Sequence, residues 1–271
     1  MSHTGVPYAD YGVLLRDVST ADVDRAVEEV LRLGYTRLDA GYTSVELAEI
    51  SQAFDAAHER YLEQWGEARL QSLDENNTLR ALCTHGGPTF VALASNTLLL
   101  AVLERLIKGR IILNQQNGII NPPGNTYNQG AWHRDLPYQH FVSSSPLAVN
   151  ALFCVDDFTA DNGATFVLPA SHRTAAFPSD HFVYNQALQV QAHAGEFLLL
   201  DCMTFHSGGF NQTKQARRAV NHIYTIPNFK QQIKLPGIID KQGLTPQQLA
   251  LFGFDYQEPT SIAAYLESRA R

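Results

Sequence analysis

At Gly109 the chain changes character, and that change limits its fold more than any other feature. Before it, apolar residues recur every three or four positions, the period of helices with one buried stripe. Thr20 is placed to cap a first helix whose Val23, Val27, Val30 and Leu31 face inward, with Gly34 closing it. Tyr35 to Leu38 reads as a short strand. Thr43 and Glu46 form a capping-box pair ahead of a longer helix, with Leu47, Ile50, Phe54, Ala57, Tyr61 and Trp65 on its inner face. A third helical run covers Phe90 to Lys108. None of these stripes carries chemistry, and scaffold packing accounts for them.

After Gly109 the apolar runs become short and are divided by Gly, Pro and Asn turns. Arg110 to Ile120 reads as a strand ending in the turn Asn121-Pro-Pro-Gly124. Leu147 to Val155 is another, and Asp161-Asn-Gly163 turns into a third at Ala164 to Leu168. Leu188 to Ala192 and Glu196 to Leu200 flank Gly195 as a hairpin, and Arg217 to Ile226 alternates as a late strand. Many short strands with such turns predict a sandwich or barrel. Thr245-Pro246 opens a helix to about Leu251, and a last helix covers about Ser261 to Ala270. With no repeat or low-complexity linker, residues 1–271 read as one domain: helical over 20–108, β-rich over 109–226, and helical again over 244–271.

Composition excludes several function classes. A net charge of −7 with no run of basic residues argues against nucleic acid as a partner. Cys83, Cys154 and Cys202 are odd in number and lack metal-binding spacing, which fits buried reduced thiols in a reducing compartment. The N-terminus lacks a signal pattern, and no apolar stretch reads as long enough for a bilayer. The expectation is a cytoplasmic protein without a membrane partner, acting on a small molecule; the sequence is silent on oligomeric state.

Residues 131–139, Ala-Trp-His-Arg-Asp-Leu-Pro-Tyr-Gln, hold the chain's one His-x-Asp or His-x-Glu pair. Chance alone supplies such a pair in about half of chains with this composition. Its place beside a strand and after a strong turn adds weight, because alternation sends His133 and Asp135 to one face and Arg134 to the other. His206 ends a buried run and precedes Ser207-Gly-Gly209, and eleven residues after it comes Arg217. Two imidazoles and a carboxylate suit Fe(II) with three positions left open, and an arginine suits the far carboxylate of a chelating acid. Each residue also has an ordinary reading: a core histidine, a surface arginine. Arg217 and Arg218 point to opposite faces of one strand, and periodicity does not choose between them.

The His133/Asp135 pair, the segment Asp161-Asn-Gly-Ala-Thr-Phe-Val-Leu-Pro-Ala-Ser-His172, and His206 followed by Arg217 together resemble the phytanoyl-CoA dioxygenase (PhyH-like) family, over about residues 110 to 226. The resemblance implies a mainly β fold: a double-stranded β-helix (jelly roll, cupin-like) with N-terminal helices packed on one sheet. It implies Fe(II) held by His133, Asp135 and His206, with 2-oxoglutarate as co-substrate and O2 as oxidant. It also implies that Arg217, not Arg218, takes the 2-oxoglutarate carboxylate. Thr165 and Asn150 are further candidates for the co-substrate, and each could equally be structural. Ser171-His172 matches a turn of the family, with Ala170 in place of its glycine, and Leu152 stands where the human enzyme has a tryptophan. An acyl-CoA substrate is therefore not inherited with the fold. Asp135 disfavours halogenation, since halogenating relatives lack this carboxylate.

Amides and phenols cluster around the motif, and Gln116, Gln129 and Tyr138 are candidate substrate contacts. The implied activity is hydroxylation of a small polar metabolite, such as a sugar, amino acid or natural-product intermediate, with release of succinate and CO2. Two alternatives stay open: a non-catalytic binding or sensor module on the same fold, and a metalloenzyme that does not use 2-oxoglutarate.

Overall fold

A computed structural model describes residues 9–19, 21–136 and 141–270. The first helix, α1 (Asp22–Leu33), starts with Ala21 at its cap position, where the Asp24 carboxylate accepts from the Ala21 N–H; Thr20 lies outside the described residues. Strand β1 (Tyr35–Asp39) follows Gly34, whose φ of 85° is left-handed and whose Cα a side chain could not occupy: a Cβ would stand 2.3 Å from Thr204 Oγ1. Helix α2 (Ser44–Trp65) begins with the expected box, in which Thr43 Oγ1 accepts from Glu46 N–H and the Glu46 carboxylate accepts from Thr43 N–H.

A short α3 (Glu67–Ser72) and β2 (Thr78–Leu79) lead to α4 (Pro88–Ala94) and α5 (Thr97–Leu106). The sequence reading gave one helix over 90–108. It breaks at Ser95-Asn96 because the Asn96 side chain accepts from Leu99 N–H and so starts a new helix. The combined span Pro88–Leu106 has the length and apolar content of a bilayer-crossing segment, contrary to the expectation from sequence. Here Phe90, Leu93, Leu99, Val102 and Leu103 are buried in the protein core.

Seven further strands build the body: β3 (Ile112–Asn121), β4 (Ala148–Cys154), β5 (Phe166–Val167), β6 (Leu188–Gln189), β7 (Glu196–Asp201), β8 (His206–Ser207) and β9 (Arg217–Thr225). Helix α6 (Asp180–Gln186) precedes β6, and α7 (Pro246–Leu251) and α8 (Ile262–Arg269) form the tail. The large sheet runs β1-β7-β4-β9-β3-β2 and the small one β6-β5-β8, with His133 bridged to His206 beyond β8. From β3 onward the chain passes repeatedly between the two sheets, which is the winding of a jelly roll. The hairpin expected around Gly195 does not form. β6 belongs to the small sheet and β7 to the large one, so Gly195 lies where the chain crosses between them.

Alternation on the large sheet sorts its side chains between two cores. Val149, Phe153, Phe197, Leu199, Val220 and Tyr224 meet Phe54, Phe90, Leu99 and Leu103 of the helices. Leu152, Cys154, Leu198, Leu200 and Ala219 meet Phe158 and Val167 between the sheets. The same alternation separates the two arginines. Arg218 faces α2, donating to the Asp156 and Asp55 carboxylates at 2.6 Å each and to Ser51. Arg217 faces the space between the sheets.

Gln116, expected at the substrate, is on the other side of the sheet and fully buried under the helices. Its Nε2 donates to Phe90 O and lies 2.8 Å from His222 Nε2. The β-bulge between Leu113 and Gln115 fixes this phase and pairs Gln116 with His222 in register. Since His222 Nδ1–H donates to Ala151 O, the ring is neutral with Nε2 accepting from Gln116.

Burial lowers the His222 pKa to about 4. An unfolded histidine binds its proton below about pH 6.5 while this one stays neutral. Stability contributed by the neutral ring is therefore complete above pH 6.5 and declines between 6.5 and 4, by on the order of 3 kcal/mol. In urea titrations, His222→Gln should flatten this acid limb; an unchanged slope would show that His222 does not set it.

Candidate metal centre

His133 and His206 face each other across an antiparallel bridge, each backbone N–H donating to the other's carbonyl at 2.9 and 3.1 Å. Asp135 N–H donates to Cys202 O at 3.2 Å, which fixes the chain two residues on. Alternation then brings His133 and Asp135 inward. Arg134 turns away from the cluster yet stays buried, donating to Ser171 O and Ala175 O and lying 3.9 Å over the Phe205 ring. Alternation in the sequence gives Arg134 this direction, and the structure has it so.

One nitrogen from each imidazole and one Asp135 oxygen lie within 4.8 Å of one another, and no other metal-ligating cluster of three His, Cys, Asp or Glu occurs among the described residues. His206 Nε2 is 3.6 Å and His133 Nε2 3.9 Å from Asp135 Oδ1. Both rings are held alike: Nδ1–H of His133 donates to Ala131 O at 2.7 Å, and Nδ1–H of His206 to Thr204 O at 3.0 Å. Each bond fixes the tautomer with Nε2 as the lone-pair nitrogen facing the centre. Burial is the largest influence on His206 and lowers its pKa, against the pull of Asp135. A neutral ring in a dry site is the form that ligates metal. The donor set therefore fits a divalent ion such as Fe(II).

The same cavity is lined by Tyr127, Gln129, Asn150, Leu152, Thr165, Arg217 and Asn221. Arg217 is 3% exposed, yet its Nε and Nη1 have no hydrogen-bond partner. Its contacts are the Phe158 ring, 3.9 Å below the guanidinium, and Tyr127 Oη, which accepts from Nη2 at 3.3 Å. Burial lowers the Arg217 pKa and raises that of Tyr127. A buried guanidinium with two free donors matches a ligand carboxylate.

The structure brings most of the expected residues together. His133, His206, Arg217, Thr165, Asn150 and Gln129 line this cavity and Asp135 clusters with its two histidines, whereas Gln116 lies elsewhere and Tyr138 lies outside the described residues. Asn150 contacts the metal-binding carboxylate itself, its Nδ2 donating to Asp135 Oδ2 at 2.9 Å. Sequence reasoning did not single out Asn221, Tyr127 or Phe158. Asn221 was within reach, being four residues after Arg217 on the same strand face. Tyr127 and Phe158 arrive from loops that show no period. A wider cleft of about 660 Å³, lined by Tyr61, Trp65, Leu70, Leu73 and Ile238 among others, shares no residue with this cavity.

Comparison with known proteins agrees with the geometry. The chain is 30% identical over 220 residues to uncharacterized protein Rv1501 of Mycobacterium tuberculosis, covering 79% of this chain and 80% of that one. It is 33% identical over 100 residues to the Fe(II)/2-oxoglutarate-dependent dioxygenase nvfF of Aspergillus novofumigatus, covering 35% and 33% of the two chains. EctD from S. alaskensis, solved with 2-oxoglutarate and 5-hydroxyectoine, superposes with a TM-score of 0.65 over 86% of this chain and 84% of its own. At 18% identity that likeness concerns the fold alone. The profile of the phytanoyl-CoA dioxygenase (PhyH) family matches residues 31–219, and the chain belongs to that family.

Proposed function

We propose that this protein is an Fe(II)- and 2-oxoglutarate-dependent dioxygenase that hydroxylates a small polar metabolite, releasing succinate and CO2. The observation that carries the reading is the buried Arg217 guanidinium, with two unpartnered nitrogens, in a cavity also lined by His133 and His206 of the metal-ligating cluster. A metal centre alone does not need that charge; a dicarboxylate co-substrate does.

His133, Asp135 and His206 would hold the iron, and Arg217 with Tyr127 would take the distal carboxylate of 2-oxoglutarate. Bound iron and 2-oxoglutarate together supply activation of dioxygen for attack on an unactivated C–H bond. The chain's own residues bind and orient. Phe158 keeps the guanidinium planar face covered, Leu152, Ile119 and Ala219 exclude water, and none of the three ligands needs to act as an acid or base.

A polar substrate is supported by the carboxamides. Asn150 Oδ1 and Asn221 Oδ1 are buried acceptors with no partner. 2-Oxoglutarate presents acceptors only, so the hydroxyl or N–H groups of a substrate would satisfy them. The reading is supported by the relative nvfF, an Fe(II)/2-oxoglutarate-dependent dioxygenase, and by the similarly folded EctD, solved with 2-oxoglutarate and 5-hydroxyectoine.

The test is succinate formation from 2-oxoglutarate with Fe(II), against paired hydroxylated and deoxygenated metabolites. Stimulation by hydroxylated compounds, with oxygen added to the product, is expected. Oxygen consumption that proceeds without 2-oxoglutarate would overturn the reading.

A further inference from the structure

Asp135 has two chemically equivalent oxygens, and the structure treats them differently. Oδ1 faces both imidazole Nε2 atoms, at 3.6 and 3.9 Å. Oδ2 accepts from Asn150 Nδ2 at 2.9 Å. We infer that Asn150 is a positioning residue that restricts Asp135 to one metal-facing oxygen and so keeps coordination positions open for the co-substrate and dioxygen. This rests on the metal-centre reading above.

The argument begins with a count. Two imidazoles and one carboxylate oxygen leave three positions on a six-coordinate ion. A chelating keto acid would need two of them, with the third left free for the oxidant. If Asp135 turned to ligate through both oxygens, one of those positions would be lost. A free carboxylate beside a divalent cation has every electrostatic reason to turn so, and something must hold Oδ2 away.

Asn150 is built to do that. It is 1% exposed on β4, paired on both sides with Leu200 of β7 and Ile223 of β9, so its backbone cannot shift to follow a rotating carboxylate. Its amide orientation is also determined, because a carboxylate only accepts and Nδ2 must therefore face it. The backbone of Asp135 is pinned as well, its N–H donating to Cys202 O. The Asn150 side-chain donor is neutral. A lysine here would compete with the metal for the carboxylate charge, whereas an amide orients the group and leaves that charge available.

Co(II) binding to metal-free protein, followed by 2-oxoglutarate titration, tests this without turnover. In Asn150→Leu the visible ligand-field spectrum of the Co(II) protein should change, and 2-oxoglutarate affinity should fall by about tenfold or more. That fall should exceed any change in Co(II) affinity, a split that loss of packing would not produce. If Asn150→Leu does not fold, Asn150→Thr is suited to a strand and its hydroxyl stops short of Oδ2, so the same changes are expected. A folded variant with the wild-type spectrum and wild-type 2-oxoglutarate affinity would overturn the role of Asn150 alone. Wild-type protein that takes up no Co(II), or His206→Ala taking it up equally well, would overturn the metal centre and this inference with it.

Discussion

Replacing Asp135 with alanine is expected to lower Co(II) or Fe(II) affinity by on the order of a thousandfold, or about 4 kcal/mol, and to abolish succinate formation. The size follows from what the side chain does. Asp135 is the one anionic member of a cluster whose other donors are neutral imidazoles, and its side chain is 8% exposed. Without it the ion would carry its full charge into a buried space with no counter-charge within ligating distance. The vacancy also strands Asn150 Nδ2, which points at the missing carboxylate. Calorimetric titration of metal-free protein measures the effect. Affinity within threefold of wild type would show that the cluster is not the metal site.

Arg217→Ala should raise the dissociation constant for 2-oxoglutarate at least a hundredfold, about 3 kcal/mol, while metal affinity stays near that of the wild type. The guanidinium is buried, unpartnered at Nε and Nη1, and held over Phe158, so it awaits an anion. Arg217→Lys should recover little, because an ammonium lacks the planar fork that pairs with a carboxylate. The same burial gives a second expectation from one variant. An unpaired interior charge costs stability, so Arg217→Met should melt at or above the wild-type temperature in the absence of ligand while failing to bind 2-oxoglutarate. Addition of 2-oxoglutarate and Co(II) should raise the melting temperature of wild type and not that of Arg217→Met. A variant that binds the co-substrate normally would remove Arg217 from the site.

These expectations differ in where they were legible. The His133–Asp135 pair could be read from the chain because alternation on an extended segment puts both side chains on one face. Arg217 was separable from Arg218 only through family resemblance. The structure supplies the physical reason: Arg218 has Asp55, Asp156 and Ser51 waiting on the helical side, and Arg217 has none of these. Gln116 was misplaced because the bulge at Leu113/Gln115 sets which residues of β3 face inward, and a bulge leaves no periodic trace. The Gly195 hairpin failed for a related reason. Two adjacent strand-like segments joined by glycine look the same whether they pair with each other or cross to opposite sheets.

Local chemistry thus settled the two long N-terminal helices, the stop at Gly34, the positions of most strands, and the His-x-Asp pair, since each depends on neighbours within a few residues. The break at Gly109 was itself enough to predict a helical layer followed by a β-rich body. What only the tertiary structure decided were relations across long stretches of chain: His206 bridged to His133, Asn150 bonded to Asp135, Tyr127 and Phe158 placed around Arg217, and Gln116 turned to His222. Those contacts depend on which sheet each strand joins and in what register, and in a jelly roll that is fixed by pairings between segments distant in sequence.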